Sequence, residues 1–281
     1  IINDLSLNVN KWQIDLSGIG AGLYQDINVT ETGRYYLEFY TTHGDIPTPN
    51  HEFDFRNSTG LSFISDTGSD GTDISATFMN DARGSSEGVV LDGSGDYVEV
   101  TPWQFGDEAI TVEAYVNRNS ASGYHDRIFQ FSDSGNDDKV SLATYTDLSN
   151  AVSFSTTSTI SGTNTGVAVI SDTDEYPLST WVHIVGTVDS DGTLKIYMDG
   201  DLQSDTASSG TPPSKTRLSH NIGAKPGYTN KCFDGTIAYL RFWHGTALNV
   251  TQVSQLYNNL IPTPNHVFDF RNSSDKSSIS D

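Results

Sequence analysis

Apolar side chains along this chain fall mainly on alternate positions, the period of a β-strand with one buried face. Residues 88–91 lead through Asp92-Gly93 into 97–100, and residues 109–116 alternate without a break. Residues 127–131, 140–145, 151–154 and 167–170 are further short strands by the same pattern. Residues 181–188 meet 194–198 across Asp191-Gly192, a dipeptide suited to a hairpin turn. Residues 236–243 make one long strand. One late stretch takes the helical period, with Val250, Val253, Leu256 and Tyr257 on one face and Asn249 as N-cap. Near the start, residues 11–16, 23–29 and 34–40 read as strands between Gly-rich turns. Many strands with one short late helix predict two packed antiparallel sheets, an all-β sandwich.

A repeat is written over this pattern. Ile46-Pro47-Thr48-Pro49-Asn50-His51-Glu52-Phe53-Asp54-Phe55-Arg56-Asn57-Ser58 returns as Ile261-Pro262-Thr263-Pro264-Asn265-His266-Val267-Phe268-Asp269-Phe270-Arg271-Asn272-Ser273, with Glu52 against Val267 the one difference. The offset is 215 residues, and the match persists to Ile64-Ser65-Asp66 and Ile279-Ser280-Asp281. A duplicated linker would not carry it that far, so the period is that of a tandem array. Residues 46–260 read as one complete module and 261–281 as the start of the next. Residues 1–45 read as the end or part of a preceding β-rich module, and the chain as a piece of a longer or processed protein. In each copy two prolines make a stiff, extended connector into Phe-Asp-Phe. Phe268 and Phe270 left in water would each forfeit about 1.5–3 kcal/mol, so 261–281 is expected to dock on a following or neighbouring module.

Charge narrows the partners. Lys and Arg total 15 against 36 Asp and Glu, a formal charge of −21. Such a chain is repelled by phosphate, which argues against nucleic acid, and by anionic membrane surfaces. No apolar run approaches the ~18 residues of a membrane-spanning helix. With aromatics at 11% the chain is too aromatic for a disordered acidic tail. Cys232 is the only cysteine, so it is either a small buried hydrophobe or a thiol for another chain.

Three separated stretches together resemble the laminin-G-like, concanavalin A-like jelly-roll superfamily. The first is Val90 to Val100, followed by Ile110 to Val116. The second is Trp181 to Val188 with Leu194 to Gly200. The third is Phe233 to Trp243, then Ala247-Leu248 through Leu256-Tyr257. The third, with Trp243-His244-Gly245, is similar to extracellular repeat proteins of heterokont algae, including components of flagellar hairs (mastigonemes). Residues 12–39 resemble part of a galactose-binding-like jelly roll. The resemblance implies a β-sandwich at the cell surface, with copies of itself or neighbouring repeats as partners, glycans bound or attached, and often a calcium ion. One departure is Ala238, where relatives often carry an acid, so any role placed there in relatives is in doubt.

Glycoside hydrolases share this sandwich but need two carboxylates across the sugar. No strand here carries alternating acids, and Glu113 stands alone in its strand, so the chain reads as non-catalytic. Acidic loops around Asp66 and Asp70, Asp92 and Asp96, and Asp133 and Asp137 are candidate calcium ligands, set against the plainer reading of solvated turns. Trp103, Tyr124 and His125, with Tyr145 and Tyr228, sit beside turns and are candidate sugar-stacking groups. Trp181 and Trp243 read as core, and His183 as a half-buried strand residue. Glycosylation sequons stand at Asn28, Asn57, Asn249 and Asn272; a glycan on Asn249 would compete with its cap role. The expected function is a structural module of a glycosylated fibre built by end-to-end contact, with a lectin-like adhesin as the alternative.

Overall fold

The computed structural model describes residues 46–120, 125–133, 138–145, 150–160, 163–208 and 210–260, and the backbone of 4–8, 11–15 and 24–28. The chain divides into two compact units, of which residues 43–260 form the second. In the first, β1 (Asp4–Asn8), β2 (Lys11–Asp15) and β3 (Tyr24–Asn28) make an antiparallel sheet in the order β1-β2-β3. The strand expected at 34–40 lies outside the described residues, as do 261–281.

The second unit runs through β4 (His51–Asp54), β5 (Phe63–Ser65), β6 (Ser75–Met79), β7 (Arg83–Gly84), β8 (Val89–Asp92), β9 (Tyr97–Val100), β10 (Gln104–Phe105) and β11 (Ile110–Arg118). It continues with β12 (Arg127–Ser132), β13 (Val140–Tyr145), β14 (Ala151–Ile160), β15 (Thr163–Ile170), β16 (Trp181–Val188) and β17 (Thr193–Met198). Last come β18 (Asp201–Leu202), β19 (Ala207–Ser208), β20 (Lys215–Thr216), β21 (Ser219–Ile222), β22 (Asp234–His244) and α1 (Val250–Leu260). One sheet has nine strands, in the order β18-β17-β16-β11-β22-β8-β7, with β19 on β17 and β4 on β22. The other has eight, in the order β15-β14-β13-β12-β21-β9-β6-β5. All these pairings are antiparallel.

Alternation builds the core. On β11, Ile110, Val112, Ala114 and Val116 point in; on β12, Phe129 and Phe131 do so. Trp103 stands edge-on to His220, Phe131 and Phe242 at centroid distances of 4.4, 5.1 and 5.5 Å. Phe154 reaches across so closely that a Cβ on Gly186 would lie 2.5 Å from its Cγ, which is why that strand position holds glycine. His220 is stacked on Phe131 at 4.2 Å with both ring nitrogens unpartnered, and burial holds its pKa well below the ordinary value, so it sits there neutral. A second cluster of Val185, Tyr197, Trp243, Leu248, Val253 and Leu256 seats α1 on the outside of the nine-stranded sheet.

The hairpin at Asp191-Gly192 forms as expected, with Val188 opposite Leu194. The turn at Asp92-Gly93 does not make a hairpin. β8 belongs to the nine-stranded sheet and β9 to the eight-stranded one, so residues 93–96 cross from one layer to the other. Asp96 is buried at this crossing and accepts from the Asp81 and Asp92 backbone N–H groups. Ala238 is the extra residue of a β-bulge, since Tyr115 pairs with Tyr239 and Val116 with Ile237. β4 pairs with β22 of its own module and buries Phe53 completely, with Phe55 buried just beyond it.

Candidate functional site

Both sheets turn polar residues outward, but the two outer faces differ in chemistry. On the nine-stranded sheet Glu113 is fully buried, with His183 Nε2 at 2.9 Å, the Tyr239 hydroxyl donating at 3.0 Å and Arg241 at 3.3 Å. Arg241 also donates to Glu52 at 2.8 Å. Burial opposes ionisation of Glu113, yet His183, Arg241 and Tyr239 together hold its carboxyl below the usual range. Tyr257 of α1 covers His183. This face is closed, and Glu113, Glu52 and Arg241 compensate one another. Its two neighbouring carboxylates, Glu52 and Glu113, are both held by Arg241.

On the eight-stranded sheet the outward side chains are small and polar. Glu99, Asn221, Gln130, Ser141 and Ser155 form a continuous row across five strands through successive cross-strand pairs. Ser132 and Ser219 pair beside it, and the Ser141 and Ser155 hydroxyls lie 3.0 Å apart. Gln130, Ser132 and Ser141 face outward but are buried, so they lie beneath the surface of this face.

Cations border this row. Arg127 lies along β12 and donates from Nε to Gln130 Oε1 at 2.8 Å and from its guanidinium to the His125 carbonyl. Lys225 lies 4.0 Å from the centroid of the exposed Tyr228 ring, and its backbone N–H donates to the Lys231 carbonyl. Burial lowers Arg127 to about 10 and Lys139 to about 8, and for Lys139 the neighbouring Arg127 and Lys225 push the same way. Lys225 is lowered by burial, Arg127 and Lys231. His125 is lowered by burial and by Arg127, with Lys231 and Lys139 contributing. Positive groups are thus gathered in a chain of net charge −21, with the buried Asp126 carboxylate opposing the shift at Arg127 and further anionic charge favoured beside the lysines.

Of the aromatic candidates, His125 and Tyr145 come together on this rim with ring centroids 5.7 Å apart. Tyr124 and Asp137 lie outside the described residues. Trp103 is a correction: at 7% exposure it is a core residue, its neighbours Phe53, Phe131 and Phe242 having enclosed it. Trp181 corrects in the other direction, being half-buried on the outer face and stacked on Tyr115 at 4.8 Å. Trp243 is core, as expected, and His183 is fully rather than half buried.

Of the calcium candidates, Asp66, Asp92, Asp96 and Asp133 have partners within the protein. Asp66 is buried, accepting at Oδ1 from the Glu52 and Gly68 N–H groups and meeting His51 Nδ1 at Oδ2. Asp92 accepts from Ser94 N–H in a tight turn. Lys215 Nζ sits between Asp133 and Asp138, where a cation would otherwise sit. Among the described residues, the acidic loops do not gather three carboxylates around one point. Cys232 is a buried thiol raised by burial, as the core-hydrophobe reading expects. Asn57 and Asn249 are exposed, Asn28 ends β3, and Asn272 lies outside the described residues.

Arg127 and Gln130, Lys139, and Lys225 escaped sequence reading, because they belong to three separate stretches of chain. One local signal was present, in Lys225-Pro226-Gly227-Tyr228-Thr229-Asn230-Lys231, an aromatic between two cations in an otherwise acidic sequence.

Residues 92–254 match the family model of the concanavalin A-like lectin/glucanase superfamily. No curated sequence matches the chain. Among solved structures, the binding domain of botulinum neurotoxin serotype D aligns at TM-score 0.54 and 11% identity over 75% of this chain and 52% of that one. The chain therefore spans about half the length of that relative. A Trypanosoma rangeli sialidase in complex with 2,3-difluorosialic acid aligns at TM-score 0.53 and 13% identity, over 75% of this chain and 33% of that one. Domain 4 of AbnA, an extracellular arabinanase from Geobacillus stearothermophilus solved with arabinotriose, aligns at 0.51 and 16% identity, over 75% and 98%. These neighbours share the fold.

Proposed function

We propose that this chain, which belongs to the concanavalin A-like lectin/glucanase superfamily, is a non-enzymatic extracellular module that binds anionic oligosaccharides on the outer face of its eight-stranded sheet. The observation that carries this reading is the cluster of Arg127, Lys139, Lys225 and Lys231 beside the outward polar row through Asn221, Gln130, Ser141 and Ser155. Sugar hydroxyls need short side chains that both donate and accept, and a carboxylate or sulfate needs cations held out of bulk water. Solved neighbours described as binding domains, and one holding arabinotriose, support a binding role over a purely structural one.

The 215-residue repeat supports a second, compatible reading, in which such modules are strung in a glycosylated array with end-to-end contacts. Repetition would raise avidity for a polymeric glycan even where each module binds weakly. Exposed Asn57 and Asn249 are the glycosylation sites this reading uses.

Calorimetric titration with an oligogalacturonate, a sulfated heparin oligosaccharide and a neutral malto-oligosaccharide tests it. Saturable binding of an anionic sugar, weakened about tenfold or more in Lys139→Ala, is expected. Equal binding of the neutral sugar, or no binding of either anionic one, overturns it.

A further inference from the structure

His51 opens β4 and His244 closes β22, and the two strands pair with His51 opposite Phe242. The loop after β5 brings Asp70 to the same point. One ligand-capable atom from each of His51, Asp70 and His244 lies within 4.8 Å of the others, and the two imidazole centroids are 6.0 Å apart. None of these residues borders the proposed sugar-binding face.

The other ring nitrogens separate this cluster from a chance meeting of polar groups. His51 Nδ1 is 2.6 Å from Asp66 Oδ2, and His244 Nδ1 is 3.0 Å from Glu108 Oε1. A carboxylate on each Nδ1 keeps the proton there and leaves the lone pair on Nε2, the arrangement that supports metal-bound histidine. Asp70 is oriented by Asn50, whose Nδ2 donates to its Oδ2 at 2.9 Å. The same Oδ2 is 3.1 Å from His244 Nε2. That separation is near the ~3.3 Å between neighbouring ligands of a tetrahedral ion with bonds of ~2.0–2.1 Å.

The backbone is wound to place these groups. Ser69 and Asp70 donate their N–H groups to the Pro49 and Asn50 carbonyls. A Cβ on Gly68 would lie 2.3 Å from the Asn50 oxygen, and one on Gly71 2.7 Å from Asp66 Cγ. Only glycines let the loop wrap tightly enough to present Asp66 to one nitrogen of His51 and Asp70 beside the other. Asn50, His51 and Asp66 recur as Asn265, His266 and Asp281, so this half of the arrangement is part of the repeated sequence.

We propose that His51, Asp70 and His244 bind one divalent transition-metal ion of the zinc class, with water completing its shell. Two imidazoles and one carboxylate suit zinc, whereas calcium takes an all-oxygen shell. The ion ties the first strand of the module to the end of β22 and to the 66–71 loop.

Titrating the chelator-treated full chain with zinc chloride by calorimetry tests this. One ion per chain is expected. His244→Ala and Asp70→Asn each lower the affinity at least tenfold, Glu108→Gln lowers it about 10–100-fold, and Asp133→Asn leaves it unchanged. Cobalt in place of zinc gives a visible ligand-field band that the first two variants lose, with circular dichroism confirming that both are folded. Absence of saturable zinc binding, or zinc binding unchanged in both His244→Ala and Asp70→Asn, overturns the proposal. So does calcium binding as tight as zinc and indifferent to His244→Ala.

Discussion

The outer face of the nine-stranded sheet mixes a charged cluster with the apolar seat of α1, whereas that of the eight-stranded sheet is mainly polar, and the two have been finished in opposite ways. On the first, Glu113 is surrounded by His183, Tyr239 and Arg241, and α1 is laid over part of the sheet. Glu113, Glu52 and Arg241 compensate one another within the fold. On the second, Lys139 is lowered by burial, Arg127 and Lys225, and Lys225 by burial, Arg127 and Lys231, beside a row of hydroxyls and amides that has no helix over it among the described residues. Internal compensation stabilises a fold. Like charges gathered on one surface cost stability and are retained where a ligand supplies the compensation. The proposed binding role rests on this contrast, and mutations on the two faces should separate stability from binding.

The largest effect is expected on the closed face. Glu113→Ala strands Arg241 and His183 beside an emptied site and should cost about 3–5 kcal/mol in urea unfolding, with oligosaccharide affinity unchanged in protein that remains folded. The carboxyl of Glu113 is depressed in the folded state, so it binds its proton less readily there than in the unfolded chain. Its stabilisation is therefore complete above its ordinary value of 4.5 and drains away as pH falls through the lower folded value. Unfolding midpoints measured from pH 6 downward should drop below about pH 4.5, and Glu113→Gln should flatten that drop. A Glu113 variant that lost sugar binding while staying folded would break the division between the faces.

On the open face the signs reverse. Lys139→Met removes a cation that burial and Arg127 disfavour, so the free protein should gain stability on the order of 1 kcal/mol. The same change should weaken anionic oligosaccharide binding about tenfold. In the free protein Lys139 keeps its proton only below about pH 8. A bound anion raises that value, so above it binding takes up a proton and affinity falls with rising pH, by up to about tenfold per unit. Titrations at pH 7 and 9, in buffers of different ionisation heat, read both the slope and the proton uptake. A pH-independent affinity would remove Lys139 from the site.

The two faces were unequally legible in the sequence, and for physical reasons. Alternation on β11 and the Asp191-Gly192 turn are local, and they placed the central strands of the nine-stranded sheet nearly to the residue. The crossing from β8 to β9 was missed because Asp92-Gly93 has the same chemistry whether the next strand pairs back or changes layer. Trp103 and Trp181 exchanged roles because exposure depends on which sheet a side chain meets, not on the turn or apolar run beside it. The Glu113 network was invisible, since His183, Tyr239 and Arg241 are 70, 126 and 128 residues away along the chain. The cationic rim was hidden for the same reason, while Lys225 and Lys231, six positions apart in sequence, left the one local trace.

The smallest expected effect tests the helix that helps close the first face. Asn249 and Gln252 form a reciprocal cap: Gln252 N–H donates to Asn249 Oδ1 at 3.0 Å, and Asn249 N–H donates to Gln252 Oε1 at 3.0 Å. The cap uses the oxygen of the Asn249 amide, whereas an N-linked glycan is attached through its nitrogen. The competition expected from sequence therefore does not arise, and this exposed asparagine can carry a sugar and cap the helix together. Asn249→Ala should cost about 1 kcal/mol, and Asn249→Asp should restore most of it while abolishing the sequon. Hydrogen exchange should localise the Asn249→Ala loss to α1 and the strands beneath it, with Val253 and Leu256 as the seats that loosen. Oligosaccharide affinity should stay unchanged in both variants. Peptide mapping of native material reads glycan occupancy at Asn249 directly, and a glycosylated form that melts below its enzymatically deglycosylated counterpart would show the sugar disturbing the cap after all.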